Sequence, residues 1–397
     1  MKNVTKIARE AVAGGDGPCY IFDIDSFDSQ YDYIKKTLGK DFAVNYCMKT
    51  NPFLVKEALH WTDRIEVCSY GEFLICKSME IEPERLLISG VLKKKEEIQR
   101  IVEYGQDRAI YTAESPLQLE YLQLYGELFD LKLSVYLRLS SGNQFGMDED
   151  TILSCLGCWE DYTHLEFYGI HFFSGTQKHK LGKFEKEIRK LDDLIERIEG
   201  EKGMQVGHLE YGTGFGVPYF KYQLPTMTGE EQLQAFASLL HKMRFKGEIS
   251  LEMGRALAYN CGYYVTKVCD LKESNGKRYC IVDGGIHQIA YDGQIRGMYQ
   301  PLVTVDGEQK GEEVSYMVCG SLCTGNDVLM ADLTCKELAL GDYLIFERVG
   351  AYSVYEGMSL FLSHELPTVF SYSVKNGLQQ MRRRIESYPL NTPFNAR

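Results

Sequence analysis

Between residues 42 and 253 the chain alternates short apolar runs with longer amphipathic ones. No other feature narrows its choice of fold as much. The runs FAVNYCM, IEVCS, RLLISG, RAIYTA, KLSVYLRLS, LEFYGIHFF, VGHLEYGTG and EISLEMG read as strands, and segments such as KKKEEIQRIVEYG and KFEKEIRKLDDLIERIEGE read as the helices between them. Strict strand–helix alternation gives parallel strands joined by helical crossovers. About eight repeats, with polar or glycine motifs closing the strands, predict an α/β fold shut into a TIM-like (β/α)8 barrel with its site at the strand C-terminal ends. A doubly wound open sheet is the alternative. In the segment before the barrel, Asp25 or Ser26 is the expected helix N-cap and Gly39 the stop.

The texture changes near residue 256. GYYVTKVCDLKE, KRYCIVDGG, EEVSYMVCG and DYLIFERVG are rich in β-branched and aromatic residues and are divided by turn signals such as SNGK and VDGE. They predict a mainly antiparallel β domain over 256–397. Residues 1–28 carry the strand-like YIF, expected to join that domain, and 29–255 form the barrel.

Composition excludes several classes. With 397 residues, 44% hydrophobic and 25% charged, the chain can build a large core. A net charge of −12 argues against nucleic acid and anionic membrane as partners. The N-terminal MKNVTKIAREAVAGGDGP has no apolar signal core, and no run approaches a membrane span. Of twelve cysteines only Cys155 and Cys158 form a C-x-x-C, without a second pair, so no metal site is expected. These features point to a cytoplasmic protein with reduced thiols.

Four strand ends carry chemistry. Lys49 closes the second strand-like run, where it binds a phosphate as a point charge, forms a Schiff base, or points into solvent. EYGTGFG offers Gly212, Gly214 and Gly216, whose N–H groups can converge on an anion or only end a strand. FFSGTQ adds Ser174, Gly175 and Thr176 at another strand end. SLEMGRALA brings Glu252, Gly254 and Arg255; the acid and arginine are either a surface ion pair or a clamp on a phosphate and a ring nitrogen. A carbonyl for the lysine, a phosphate and a basic heteroaromatic nitrogen together describe pyridoxal phosphate.

The chain resembles the fold-type-III pyridoxal-phosphate decarboxylases, the group of the diaminopimelate and ornithine enzymes. YCMKTNP, IEVCSYGE, RLSSGNQFG, GIHFFSGTQ, YGTGFGVPY, EMGRALA, VDGG, CGSLCTGNDVL and GAYS occur in family order over nearly the whole length. The resemblance implies an alanine racemase-like barrel and pyridoxal 5′-phosphate held as an internal aldimine on Lys49. It implies decarboxylation at Cα through a quinonoid, releasing CO2. Glu252 becomes the partner of the ring nitrogen, Gly212 and Gly214 the phosphate cradle, and Tyr352 a phosphate ligand. Cys323 becomes the proton donor to Cα, offered across a homodimer interface.

Departures from the pattern concern the substrate. Thr324 stands where relatives carry an acid for a distal amine. The segment YDGQIRGMYQ places Asp292 and Arg296 where the diaminopimelate enzymes carry an arginine and a tyrosine for the distal carboxylate. Phe173 replaces a stacking histidine, and an aromatic ring can still stack. His171, two residues earlier, is read as a satisfied core histidine. These changes speak against free meso-diaminopimelate and resemble a biosynthetic branch acting on modified or carrier-protein-bound amino acids. A racemase of the same fold, or a non-catalytic regulator, are the competing functions. Glu252 opposes the first, because racemases often place an arginine at the ring nitrogen. The retained Lys49, Glu252, Arg255 and Tyr352 oppose the second.

Overall fold

A computed structural model describes residues 4–14, 17–223 and 227–393. The chain divides into two compact units: Tyr31–Val217 with Pro225–Ala256, and Met1–Gln30 with Pro218–Leu224 and Leu257–Arg397.

Strand β1 (Cys19–Asp23) belongs to the second unit. The first unit is a closed barrel of eight parallel strands in chain order: β2 (Phe42–Cys47), β3 (Ile65–Val67), β4 (Leu86–Ile88), β5 (Ile110–Ala113), β6 (Leu133–Leu139), β7 (Leu165–Phe173), β8 (His208–Gly212) and β9 (Glu248–Met253). The ring closes where β9 pairs β2, from Phe42–Ile249 to Tyr46–Met253. The barrel strands are almost wholly buried, as expected of strands covered on both faces, and Tyr46, Tyr136 and Tyr211 are among the largest buried side chains. Helix starts follow local chemistry. Ser69, Ser115 and Asp148 accept hydrogen bonds from the N–H groups of Glu72, Gln118 and Thr151 at 3.1, 3.3 and 2.7 Å, each a cap worth about 1 kcal/mol.

One local expectation changes, and one barrel strand is irregular. Asp23 is the acceptor at the start of the helix Ile24–Leu38, taking the Ser26 N–H at 3.2 Å and its hydroxyl at 2.7 Å, so neither Asp25 nor Ser26 is the cap. Strand β7 carries a bulge: Val135 pairs Phe167 but Tyr136 pairs Gly169, which skips Tyr168. The bulge falls where a Cβ on Gly169 would overlap the His208 carbonyl oxygen.

The second unit holds β1 with β10 (Gly262–Ser274), β11 (Lys277–Val282), β12 (Val303–Asp306), β13 (Lys310–Cys319), β14 (Val328–Glu337), β15 (Tyr343–Glu347), β16 (Thr368–Ser373) and β17 (Gly377–Arg382). The order is β14-β13-β11-β10-β1-β16-β17, and β15 pairs both β10 and β12. Most pairings are antiparallel, but β1 runs parallel to β16 and β11 parallel to β13. A short helix, Val4–Val12, lays Ala8, Ala11 and Val12 on Cys19, Ile21, Val265 and Ile345. Its Arg9 guanidinium meets the Asp306 carboxylate at 2.6 and 2.8 Å. Among the described residues no helix is long and apolar enough to cross a membrane.

Candidate active site

Strand β2 ends at Cys47 and turns into a single 3-10 turn, Met48–Thr50. The Tyr46 hydroxyl donates to the Asn51 carbonyl at 3.0 Å, and the Asn51 side chain accepts the Phe53 N–H at 3.1 Å. This places Lys49 at the C-terminal rim of the barrel, with its side chain 38% exposed. Its Nζ lies 2.6 Å from Glu66 Oε2 and 3.3 Å from Cys68 Sγ. The Cys68 thiol donates to Glu66 Oε1 at 2.9 Å, and its N–H to Glu72 Oε2 at 2.6 Å. Burial works against the charge on Lys49, but Cys68, Glu66, Cys47 and Glu252 outweigh it and hold the amine well above its ordinary value. The lysine is thus a paired charge at a strand end, not a solvated one.

Glu66 is the counter-case. Burial alone would raise its carboxyl, yet the Lys49 ammonium and hydrogen bonds from Cys68 and Lys49 lower it to about 2. A carboxylate depressed on folding contributes stability above the unfolded value near 4.3, lost as pH falls through the folded value near 2. In denaturant titrations the protein should exceed Glu66→Gln in stability by roughly 2–3 kcal/mol at pH 7. That gap should narrow as pH falls toward 2 and close below it, where both side chains are neutral.

Three donors, Cys47 Sγ and the carboxylates of Glu66 and Glu252, have atoms within 4.8 Å of one another. The Lys49 ammonium supplies the counter-charge of this cluster. Glu252, on β9, is 5% exposed, and its Oε1 is buried without a hydrogen-bond partner. His171 Nε2 is 3.2 Å away, but no hydrogen bond forms, and both imidazole nitrogens are unpartnered. The expectation of a satisfied core histidine is therefore wrong: His171 is buried against Glu252 with nothing else to bond. Beneath them the Glu210 carboxylate accepts from the Asn45 amide at 2.8 and 3.0 Å. Burial first, and the Glu252 charge second, push the Glu210 carboxyl well upward.

The loops after β7 and β8 interlock. The Lys178 N–H donates to the Gly214 carbonyl and the Gly216 N–H to the Lys178 carbonyl, both at 2.9 Å. Gln177 Oε1 accepts the Val217 N–H at 2.9 Å. Thr213 binds the Glu252 carbonyl through N–H and hydroxyl, at 3.2 and 3.1 Å. Gly214 has φ +56°, and a Cβ there would overlap the Gly175 carbonyl oxygen. A Cβ on Gly254 would overlap the Thr50 hydroxyl. Gly212 lets the Phe173 ring lie against its Cα. Arg255 Nε donates to Thr176 Oγ1 at 3.3 Å, so these two are neighbours. Below the loops a buried Lys178 pairs with Glu187 at 2.8 Å, and Glu187 also accepts from Ser174 and Tyr211. Gly214→Ala is expected to cost about 1–3 kcal/mol of stability. It should also weaken retention of a phosphate-bearing ligand, read as a lower melting temperature and a raised dissociation constant.

Lys49, Glu252, Phe173, Thr176, Gly212, Gly214, Gly254 and Arg255 thus gather at one end of the barrel. Sequence reasoning passed over Glu66, Cys68 and Glu210, and read His171 only as a core residue. Strand register could have found Glu66, because it pairs Cys47, two residues before Lys49. The remaining candidates lie in the second unit. Cys323 is exposed in the turn 320–327, which Asp327 ties by accepting the N–H groups of Leu322 and Ile286 at 2.8 Å. Thr324 Oγ1 accepts the Asn326 N–H at 3.4 Å. Arg296 is exposed and donates from Nε to Asn326 Oδ1 at 2.5 Å, which commits its guanidinium to this turn. Tyr352 is half-buried with φ +65°, and its carbonyl accepts from Tyr355 and Glu356.

The site suits a pyridoxal phosphate. It offers a lysine at a strand end, glycine-bearing loops beside Arg255 and Thr176, and a buried carboxylate oxygen lacking its hydrogen-bond donor. Residues 19–350 match the family model described as pyridoxal-dependent decarboxylase, C-terminal sheet domain. The chain belongs to the pyridoxal-dependent amino-acid decarboxylases, and pyridoxal 5′-phosphate is its cofactor. It is 27% identical to the L-glutamyl-(BtrI acyl-carrier protein) decarboxylase of Niallia circulans, over 92% of this chain and 91% of that one. It is 25% identical to the diaminopimelate decarboxylase of Aquifex aeolicus, over 94% and 90%. The 2-((L-alanin-3-ylcarbamoyl)methyl)-2-hydroxybutanedioate decarboxylase of Staphylococcus aureus is 24% identical over 92% and 97%. In fold it is similar to Helicobacter pylori diaminopimelate decarboxylase complexed with L-lysine, with TM-score 0.83, 21% identity and coverage of 96% and 98%.

Proposed function

We propose that the chain removes the α-carboxylate, as CO2, from an amino acid whose distal end is not a free ammonium. A substrate joined through its side chain to a carrier protein, or otherwise modified, fits this description. The observation that carries the decarboxylase chemistry is the buried, unpartnered oxygen of Glu252 on the same barrel rim as the paired Lys49. When bound, pyridoxal phosphate supplies an electron sink for the electron pair left at Cα. Lys49 holds the cofactor's aldehyde carbon, and Glu66 steadies the lysine until then. Glu252 keeps a proton on the ring nitrogen. Gly212, Gly214, Thr176 and Arg255 hold the phosphate, joined by Tyr352, and Phe173 stacks on the ring. Cys323 returns a proton to Cα, acting across the interface of a homodimer in a reducing cytoplasm.

Substrate choice follows from Thr324. A hydroxyl there gives a cationic distal amine no ionic partner, a loss of about 1–3 kcal/mol against an acid. Two relatives act, by their names, on a carrier-bound glutamyl group and on a carbamoyl-linked alanine, which supports a masked distal end. A screen of free and carrier-loaded amino acids, reading CO2, tests the proposal. Release is expected from masked substrates and not from diaminopimelate; release from free diamino acids alone would reject it. Thr324→Glu should shift kcat/KM toward diamino acids by roughly tenfold or more.

A further inference from the structure

We propose that His171 is a positioning residue that fixes the carboxylate of Glu252, and through it the hold on the cofactor's ring nitrogen. The inference rests on the role given to Glu252 above. His171 is 1% exposed, and neither ring nitrogen has a hydrogen-bond partner. Its Nε2 stands 3.2 Å from Glu252 Oε1, which is itself buried and unpartnered. Two unsatisfied polar atoms facing each other at hydrogen-bond distance call for an explanation. The 3.2 Å separation lies within hydrogen-bond range.

Charged groups near His171 have partners of their own. Strand register sets it between Arg138 on β6 and Glu210 on β8. Arg138 spends its Nη1 on Glu114 Oε1 at 2.7 Å. Both oxygens of Glu210 accept from Asn45. Glu66 serves Lys49 and Cys68. Glu252 Oε1 is an unpartnered acceptor at hydrogen-bond distance from the imidazole. An Nε2–H donated to Oε1 fixes the carboxylate plane and leaves that oxygen's second lone pair for the ring nitrogen. A second residue that orients a charged group in this way commonly matters nearly as much as the group itself. The β7 bulge contributes, because it sets which of residues 169–173 face Glu252.

The alternative is a histidine that only fills barrel volume, and His171→Phe separates the two, since phenylalanine keeps the ring and loses both nitrogens. In the purified holoenzyme, His171→Phe should lower kcat about 10- to 100-fold while KM moves less than about threefold. The visible band of the bound cofactor should change its pH dependence. His171→Gln, which keeps an N–H donor, should recover part of the loss. In a Glu252→Gln background, His171→Phe should cost less than about twofold more, because its route is already cut. Wild-type kcat and spectrum in His171→Phe, or full additivity of the double variant, would overturn the proposal. If His171→Phe is insoluble, His171→Leu, which also lacks a donor, and its double with Glu252→Gln complete the same cycle. A Glu252→Gln enzyme with unchanged spectrum and rate overturns the Glu252 role itself, and the proposal with it. A wild-type holoenzyme that retains its colour and a sensitive Glu252, beside an indifferent His171, rejects the proposal alone.

Discussion

Lys49→Ala is expected to lose CO2 release and the cofactor's colour together, with activity down on the order of 10³-fold or more. Two physical losses coincide. The amine that takes the aldehyde carbon is gone, and the cluster of Glu66, Glu252 and Cys47 loses its counter-charge. Removing one partner of a buried pair costs about 3–5 kcal/mol, and the partial exposure of Lys49 puts this case near the lower end. Lys49→Arg separates the effects, because a guanidinium keeps the charge and forms no imine. It should restore much of the stability and none of the turnover. Borohydride should fix the cofactor to the wild-type chain and to neither variant. A fixed adduct in Lys49→Ala would mean that another lysine is the anchor.

Glu252→Gln should lower kcat about 10²- to 10³-fold, the range for removing one preorganised electrostatic group. The amide is nearly the same size, so Lys49 and its bonds stay in place and the protein should still take up the cofactor. The loss should therefore fall on kcat more than on KM, as for an interaction that strengthens in the transition state. Steady-state CO2 release against substrate concentration separates the two. A gain in stability is a further expectation, because Glu252 and Glu210 then no longer share one buried region as two acids.

Much of this site was legible from strand ends. Lys49, Glu252 and the glycines of YGTGFG are a lysine, an acid and glycines where apolar runs stop, which is where a barrel keeps its chemistry. The ring of eight strands followed from the alternation itself. His171 was not legible, because one histidine in an apolar strand looks the same whether its nitrogens are satisfied or orphaned. Only the crossing of β7 and β9 side chains inside the barrel tells them apart. Glu66 and Cys68 sat in a quoted motif, but their meeting with Lys49 depends on the β2–β3 register. The Asp23 cap was misplaced by two residues or more because its neighbours Asp25 and Ser26 are also good caps. The short helix Val4–Val12 was passed over although Val4, Ile7, Ala8, Ala11 and Val12 recur at helical spacing. Strands β16 and β17 were missed because FSYS and GLQQMR are polar enough to pass for loop.

Strand β1 carries one more consequence, for how the molecule is made. It lies between β10 and β16, with Cys19 set against Val265 on one side and Thr368 on the other. Barrel strands each find a neighbour that is next in the chain, so they can assemble while synthesis is still in progress. β1 cannot: one of its edges waits for the middle of the polypeptide and the other for almost the end. Long-range pairing of this kind is slow, and until β16 arrives a strand of five apolar-flanked residues has an open edge to which another nascent chain can add.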